Sequence, residues 1–245
     1  MRSAEICEKN LKDDNDALNN YTNAAKAYKN CNNKLAMKYY NISTSMLMNA
    51  NRFSSAAKLW KDVGELYEKD YMIKYAIEAY EKAAQCYDTE DSKANASSIR
   101  VKIASLCAEL NDYKKAIDIY EQVSKQALDT NVGRWSVTSY MFKALLCRFA
   151  MLSNKGNISD MYTVLDKYID IHPQFDGTRE CKLIQNCIAA YDNNDLDTYT
   201  DEVMKFDEIL KLDNWTAKIL LDIKNNLAGT TNTGGNAEDD VADLA

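Results

Sequence analysis

Proline is nearly absent from this chain: Pro173 is the only one among 245 residues, and glycine occurs seven times, with Gly229, Gly234 and Gly235 close to the end. So few residues that break or kink a helix mean that the body of the chain is mostly helical. Histidine is also single, and His172 stands in a turn just before that proline. No credible nucleophile lies near it, so it is expected to pack or coat the turn and not to act as a general base. No apolar run approaches the length of about 18 residues that crosses a bilayer. The opening MRSAEICEKNLKDDNDALNN is too charged for a signal peptide. The phosphate, dinucleotide, zinc and hydrolase signatures GxxxxGKS/T, GxGxxG, HExxH and GxSxG do not occur.

The seven cysteines are odd in number, scattered and without a CxxC pair, which reads as reduced, packed thiols in a cytoplasmic protein. Cys181 and Cys187 are six residues apart, a poor spacing for a shared metal on a helix. No enzyme activity, metal or cofactor is therefore expected. The net formal charge is −7, and Glu238, Asp239, Asp240 and Asp243 supply four of those negative charges. Such a balance argues against nucleic acid as a general partner.

What is present is a repeat. A small residue is followed four later by an aromatic, then by a small or β-branched residue, then by another aromatic: Ala17/Tyr21/Ala24/Tyr28, Ala56/Trp60/Val63/Tyr67, Ala76/Tyr80/Ala83/Tyr87 and, ending in Ala, Ala116/Tyr120/Val123/Ala127. Weaker copies begin at Ala36 and Ala96, so the period is close to twenty residues. Offsets of 4, 7 and 11 share one face of an α-helix, and each copy is thus an amphipathic helix plus a short turn. Two copies make a hairpin, and the hairpins predict an all-α, TPR-like helical-hairpin solenoid wound as a right-handed twisted array. Turn signals stand at 111–113, 153–157, 172–177 and 193–195. After Leu227 the periodicity stops, and AGTTNTGGNAEDDVADLA is expected to be disordered.

Charge sorts by layer in this scheme. Residues 51–69, 91–110, 133–153 and 176–193 fall on alternate helices, which line one layer of a stacked array. Residues 92–108 hold Lys93, Arg100 and Lys102 without an acid, and residues 133–153 hold Arg134, Lys143 and Arg148 without one. The intervening helices over 112–129 and 156–171 are mixed or acidic. Taken singly, each base could simply solvate an exposed face. Gathered in one layer of an acidic protein, they predict an elongated acidic partner whose binding weakens with salt.

Several segments carry a resemblance at consistent spacing: NRFSSAAK (51–58), DYKKAIDIYEQV (112–123), SYMFKALLCRFA (139–150), TRECKLI (178–184) and DLDTYTDEVMKFDEILKLDNW (195–215). They resemble the soluble NSF attachment proteins, closest to the alpha type, from about residue 5 to 227 and again at the final ADLA. The resemblance implies a twisted sheet of paired helices over 1–154, a C-terminal helical bundle over 155–227 and a flexible acidic tail over 228–245. It implies an adaptor for vesicle fusion, peripheral on membranes through its partners, that lays a basic concave face on the acidic SNARE four-helix bundle and recruits the hexameric ATPase NSF. The basic positions that carry over are Arg52, Lys58, Lys102, Arg134 and Arg179, and Arg100, read from its acid-free helix, is counted with them toward the SNARE bundle. Toward NSF the resemblance implies Asp192, Glu238, Asp239, Asp240 and Asp243, with Leu244 as an apolar anchor. Ser98 and Thr138 stand where the family tends to have lysine, so the SNARE face is expected to be weaker or shifted. Family members begin with about two further hairpins and an apolar loop that touches the membrane, and nothing in this chain matches them. The competing reading is a TPR-like scaffold or co-chaperone that grips a short extended peptide.

Overall fold

The computed structural model describes residues 14–129, 134–155 and 158–234. Among them are eleven α-helices, one short 3-10 turn and no strand: α1 (Asp14–Tyr28), α2 (Asn33–Asn49), α3 (Phe53–Lys69), α4 (Ile73–Thr89), α5 (Lys93–Glu109), α6 (Tyr113–Leu128), α7 (Arg134–Ser153), α8 (Asp160–Ile171), α9 (Arg179–Asp192), α10 (Leu196–Ile209) and α11 (Asn214–Gly234), with the 3-10 turn at Pro173–Phe175. The fold is all-α among the described residues, with each repeat copy on its own helix, as the repeat predicts. Its last helix differs from the expectation in running past Leu227 to Gly234. Residues 235–245 lie outside the described residues.

The chain divides into two compact units, residues 1–106 and 107–245, with the division inside the last turn of α5. In the first unit the helices pack in sequence order, α1 on α2, α2 on α3 and α3 on α4. The repeat explains the packing. Ala17, Ala36, Ala56, Ala76, Ala96 and Ala116, the first residue of each copy, all have 0% exposure. A methyl group at these points lets neighbouring helices approach closely, and the aromatic four residues later fills the space beside it. Tyr21, Tyr40, Tyr80 and Tyr120 are buried in that role and Trp60 is half-buried, whereas the fifth copy has Arg100 there.

One contact is tighter than the repeat requires. Gly64, in the middle of α3, faces the Tyr80 ring of α4 so closely that a Cβ would stand 2.7 Å from Cε1 and Cζ. The Tyr80 hydroxyl donates to a Glu68 carboxylate oxygen, which pins the ring against α3. Burial and that carboxylate together raise the Tyr80 pKa above the ordinary phenol range.

The turns share a closure. Asn51, Asp91, Asn111 and Asn194 have φ of 54°, 52°, 62° and 53°. The next N–H in each reaches back across six residues, Arg52 to Leu47 at 2.8 Å and Ser92 to Tyr87, Asp112 to Cys107 and Asp195 to Ala190 at 2.9 Å. This Schellman pattern satisfies carbonyls that a helix end leaves open, and Asn and Asp tolerate the left-handed backbone it needs. Helix starts are capped by side chains at Asn32, Asp112, Thr178 and Asp195, each accepting a backbone N–H three residues on.

The second unit is built around α7, which packs on α6, α8, α9 and α11. Val137, Leu145, Leu146, Cys147 and Phe149 on α7 have 0% exposure. Phe149 meets the Tyr191 ring edge-on at 5.5 Å and Tyr120 meets Trp215 at 6.1 Å. His172 is buried in the turn after α8, its N–H bonded to the Tyr168 carbonyl and its carbonyl accepting from Phe175, which is a turn-packing role.

The described cysteines are all free, and only Cys31 is exposed. Burial pushes the Cys147 and Cys187 thiols up to about 12 and Cys181 up to about 11. A buried thiol with so high a pKa supplies almost no thiolate near neutrality. In the folded protein at pH 8, maleimide followed by peptide mapping is therefore expected to label Cys31 while sparing Cys86, Cys107, Cys147, Cys181 and Cys187, all of which react in denaturant. Rapid labelling of any of these five before unfolding would contradict the packing described here.

Candidate functional site

In the first unit, Lys58, Lys61, Glu65 and Glu68 follow one another at intervals of three and four on α3, so they share one face. Ser98, Lys102 and Ser105 do the same on α5. Together with Tyr80 of α4, Lys61, Glu65, Glu68 and the three α5 residues line an open cleft of about 550 Å³. Lys102 Nζ lies 2.7 Å from a Glu68 oxygen. Lys29, in the turn just after α1, bridges Asp62 at 3.4 Å and Glu65 at 3.1 Å. The acids of α3 are thus answered within the fold, and Lys58 and Lys61 are left exposed without an ion pair among the described residues. Ser98, flagged in the sequence as a departure toward weaker charge, opens into this same cleft.

Arg52 precedes α3 as its N-cap residue, exposed and with no side-chain capping bond. Arg100 is placed differently from Lys102: it occupies the aromatic position of its repeat, is 20% exposed and pairs with Asp88 of α4. In the second unit, Arg179 is the first residue of α9 and exposed, and Thr178 caps that helix at 3.1 Å. Arg134 is the first residue of α7, but its side chain lies outside the described residues. Thr138 is half-buried. Of the other bases counted to the same layer, Lys143 and Arg148 turn into the fold. Lys143 lies over the Trp215 ring at 5.1 Å and 3.9 Å from Asp213, and Arg148 lies 3.7 Å from the Glu121 carboxylate that also accepts from Tyr168.

Electrostatics sets Arg52 and Arg179 apart. The start of a helix carries partial positive charge, and a cation there costs about 0.3–1 kcal/mol where an anion would gain as much. Neither arginine has an ion pair among the described residues to offset this. Asp192, the last residue of α9, is the mirror case, an exposed carboxylate at the negative end of its helix. Glu238, Asp239, Asp240, Asp243 and Leu244 lie outside the described residues.

The family described as soluble NSF attachment protein, SNAP, matches residues 1–228. This chain belongs to the soluble NSF attachment protein family. It is 32% identical over 220 residues to the beta-soluble NSF attachment protein of Bos taurus, covering 89% of this chain and 72% of that protein. With the alpha-soluble NSF attachment protein of Homo sapiens the identity is 33%, over 89% of this chain and 73% of the relative. A probable vesicular-fusion protein sec17 homolog of Neurospora crassa is 33% identical over 94% of this chain and 78% of its own length. Among the described residues no group of His, Cys, Asp and Glu is arranged to hold a metal ion.

Two features of the site escape sequence reasoning. The cleft between α3, α4 and α5 depends on Glu68, which carries no motif and draws in Lys102 and Tyr80 together. The unpaired state of Lys58 depends on Lys29, thirty-six residues from Glu65, taking the acids instead.

Proposed function

We propose that this chain is a non-catalytic adaptor of vesicle fusion: it lies along the acidic four-helix bundle of an assembled SNARE complex and brings the NSF ATPase to it for disassembly. The SNARE contacts are Arg52, Lys58 and Lys102 in the first unit and Arg134 and Arg179 in the second, with Arg100 acting through its pair to Asp88. The observation that carries this reading is that Arg52, Lys58 and Arg179 are exposed and have no anionic partner among the described residues, in a protein of net charge −7. Cations kept at helix starts without internal pairing are explained by carboxylates on a partner. Family membership supports the NSF half of this reading, since the relatives are named for attachment of NSF.

On the NSF side, Asp192, Glu238, Asp239, Asp240 and Asp243 meet basic surfaces of the ATPase, and Leu244 is the apolar residue whose burial drives hydrolysis. A segment ordered only on binding gives up entropy at that moment, so one anchor carries much of its net affinity. The protein works in the cytoplasm, on membranes through these partners.

The decisive measurement is ATP turnover by NSF with assembled SNARE complex, with and without the full chain. Stimulation is expected, and its absence removes the reading. Leu244→Ala is expected to leave SNARE binding intact and reduce stimulation about tenfold, the effect of losing one well-buried leucine. Equal loss of both would refute the role given to the tail.

A further inference from the structure

The turn between α3 and α4 departs from its counterparts. At positions 51, 91, 111 and 194 the left-handed residue is Asn or Asp, but here it is Tyr71, at φ 58°. A left-handed backbone is unfavourable for a bulky side chain and persists where the surroundings impose it or function uses it. No packing contact offsets it, because Tyr71 is 90% exposed, the highest exposure among the large apolar residues described. Met72 beside it is 41% exposed and Tyr75, one turn into α4, is 51% exposed. The Tyr75 ring stacks on Tyr67 at 5.5 Å, so the patch is held and not loose.

Bases surround this tip. Lys69 and Lys74 flank it on the chain, exposed and without an ion pair among the described residues. Asn33 donates to the Asp70 carboxylate at 2.5 Å, which brings the start of α2 and its exposed Lys34 alongside and occupies the acid nearest Tyr71. The neighbouring Glu68 is engaged by Lys102 and Tyr80.

We propose that this turn is a contact for an anionic lipid surface, with Tyr71 and Met72 entering the headgroup region and Lys34, Lys69 and Lys74 meeting the phosphates and carboxylates above it. Tyrosine has an apolar body and a polar tip, which suits the boundary between headgroups and acyl chains. A stable protein partner needs roughly 800 Å² of matched surface on each side, and three side chains on a convex turn do not supply it. A bilayer needs no matched shape. No helix among the described residues is long and apolar enough to cross a membrane, so the contact is superficial. The net charge of −7 opposes the approach of the rest of the molecule, which makes binding weak, local and salt-sensitive. The proposal stands on this turn alone and does not depend on the SNARE or NSF contacts.

Sedimentation of the full chain with protein-free vesicles tests it, comparing phosphatidylcholine with phosphatidylcholine plus phosphatidylserine. Binding is expected on the mixed vesicles, to fall on phosphatidylcholine alone and to fall as salt rises. Tyr71→Asn installs the residue used at 51, 111 and 194, so the melting temperature is expected to hold or rise while vesicle binding drops about tenfold. Tyr71→Trp is expected to bind at least as well as the parent. Lys69→Gln with Lys74→Gln is expected to abolish the preference for phosphatidylserine. Equal binding by Tyr71→Asn and the parent, no binding by the parent, or binding only when a partner protein is added would each overturn the assignment.

Discussion

Reversing three charges, Arg52→Glu, Lys58→Glu and Arg179→Glu, is expected to weaken binding to an assembled SNARE complex about a hundredfold while leaving the fold at least as stable. Each exposed ion pair is worth on the order of 0.2–1 kcal/mol, and reversal replaces attraction by repulsion, so about 1 kcal/mol per site is reasonable. The stability half of the prediction has the opposite sign and is more diagnostic. Arg52 and Arg179 stand at helix starts, where a carboxylate gains about 0.3–1 kcal/mol from the backbone dipoles. Thermal melting should therefore hold or rise in the Arg52→Glu and Arg179→Glu single variants. If these arginines were structural, melting would fall and binding would follow it. If they are binding residues, binding falls alone and the loss shrinks at high salt.

Gly64→Ala is expected to destabilise the protein by about 1–2 kcal/mol, although alanine is the better helix former by about 1 kcal/mol. The new Cβ would meet Tyr80 ring atoms at 2.7 to 2.9 Å, closer than such atoms stand in folded proteins. The ring cannot easily give way, because it is 1% exposed and its hydroxyl is held by Glu68. Overpacking a filled site costs about 1–3 kcal/mol, which exceeds the gain in propensity. The sign should invert in a Tyr80→Ala background, where the same glycine substitution has only its propensity to express and stabilises by up to about 1 kcal/mol. Chemical denaturation of the four proteins of this cycle reads the coupling directly. Additive effects would mean that the contact is not what sets the residue at position 64.

The repeat made the fold legible. Six alanines twenty residues apart announce six helices, and all six are fully buried. The turns at Asn111 and Asn194 were legible as well, because Asn beside Asp is a turn signal on chemical grounds. The turn at Tyr71 falls where the period places one, between Tyr67 and Ala76, but tyrosine carries no turn signal and only the backbone shows its φ of 58°. The close approach of Gly64 to Tyr80 is likewise invisible, because the pattern records spacing along one helix and not the distance to the next. For the candidate site, the sequence identified the bases but not their state. It grouped Arg100 with Lys102, yet two positions apart on α5 they face different neighbours, Asp88 and Glu68. It counted Lys143 and Arg148 to the exposed layer, and both are drawn inward by carboxylates distant in sequence, Asp213 just before α11 and Glu121 on α6. Pairing across such separations is a tertiary fact, which composition by helix does not contain.

The two ways of packing have mechanical consequences. Where each helix rests mainly on its neighbour in sequence, as from α1 to α4, a pulling force applied at one end meets one hairpin at a time and the array can yield in steps. Around α7, where four helices share one support, no helix can be peeled away without loosening the others, and rupture there is a single event. The chain thus gives way in stages over α1 to α4 and all at once around α7.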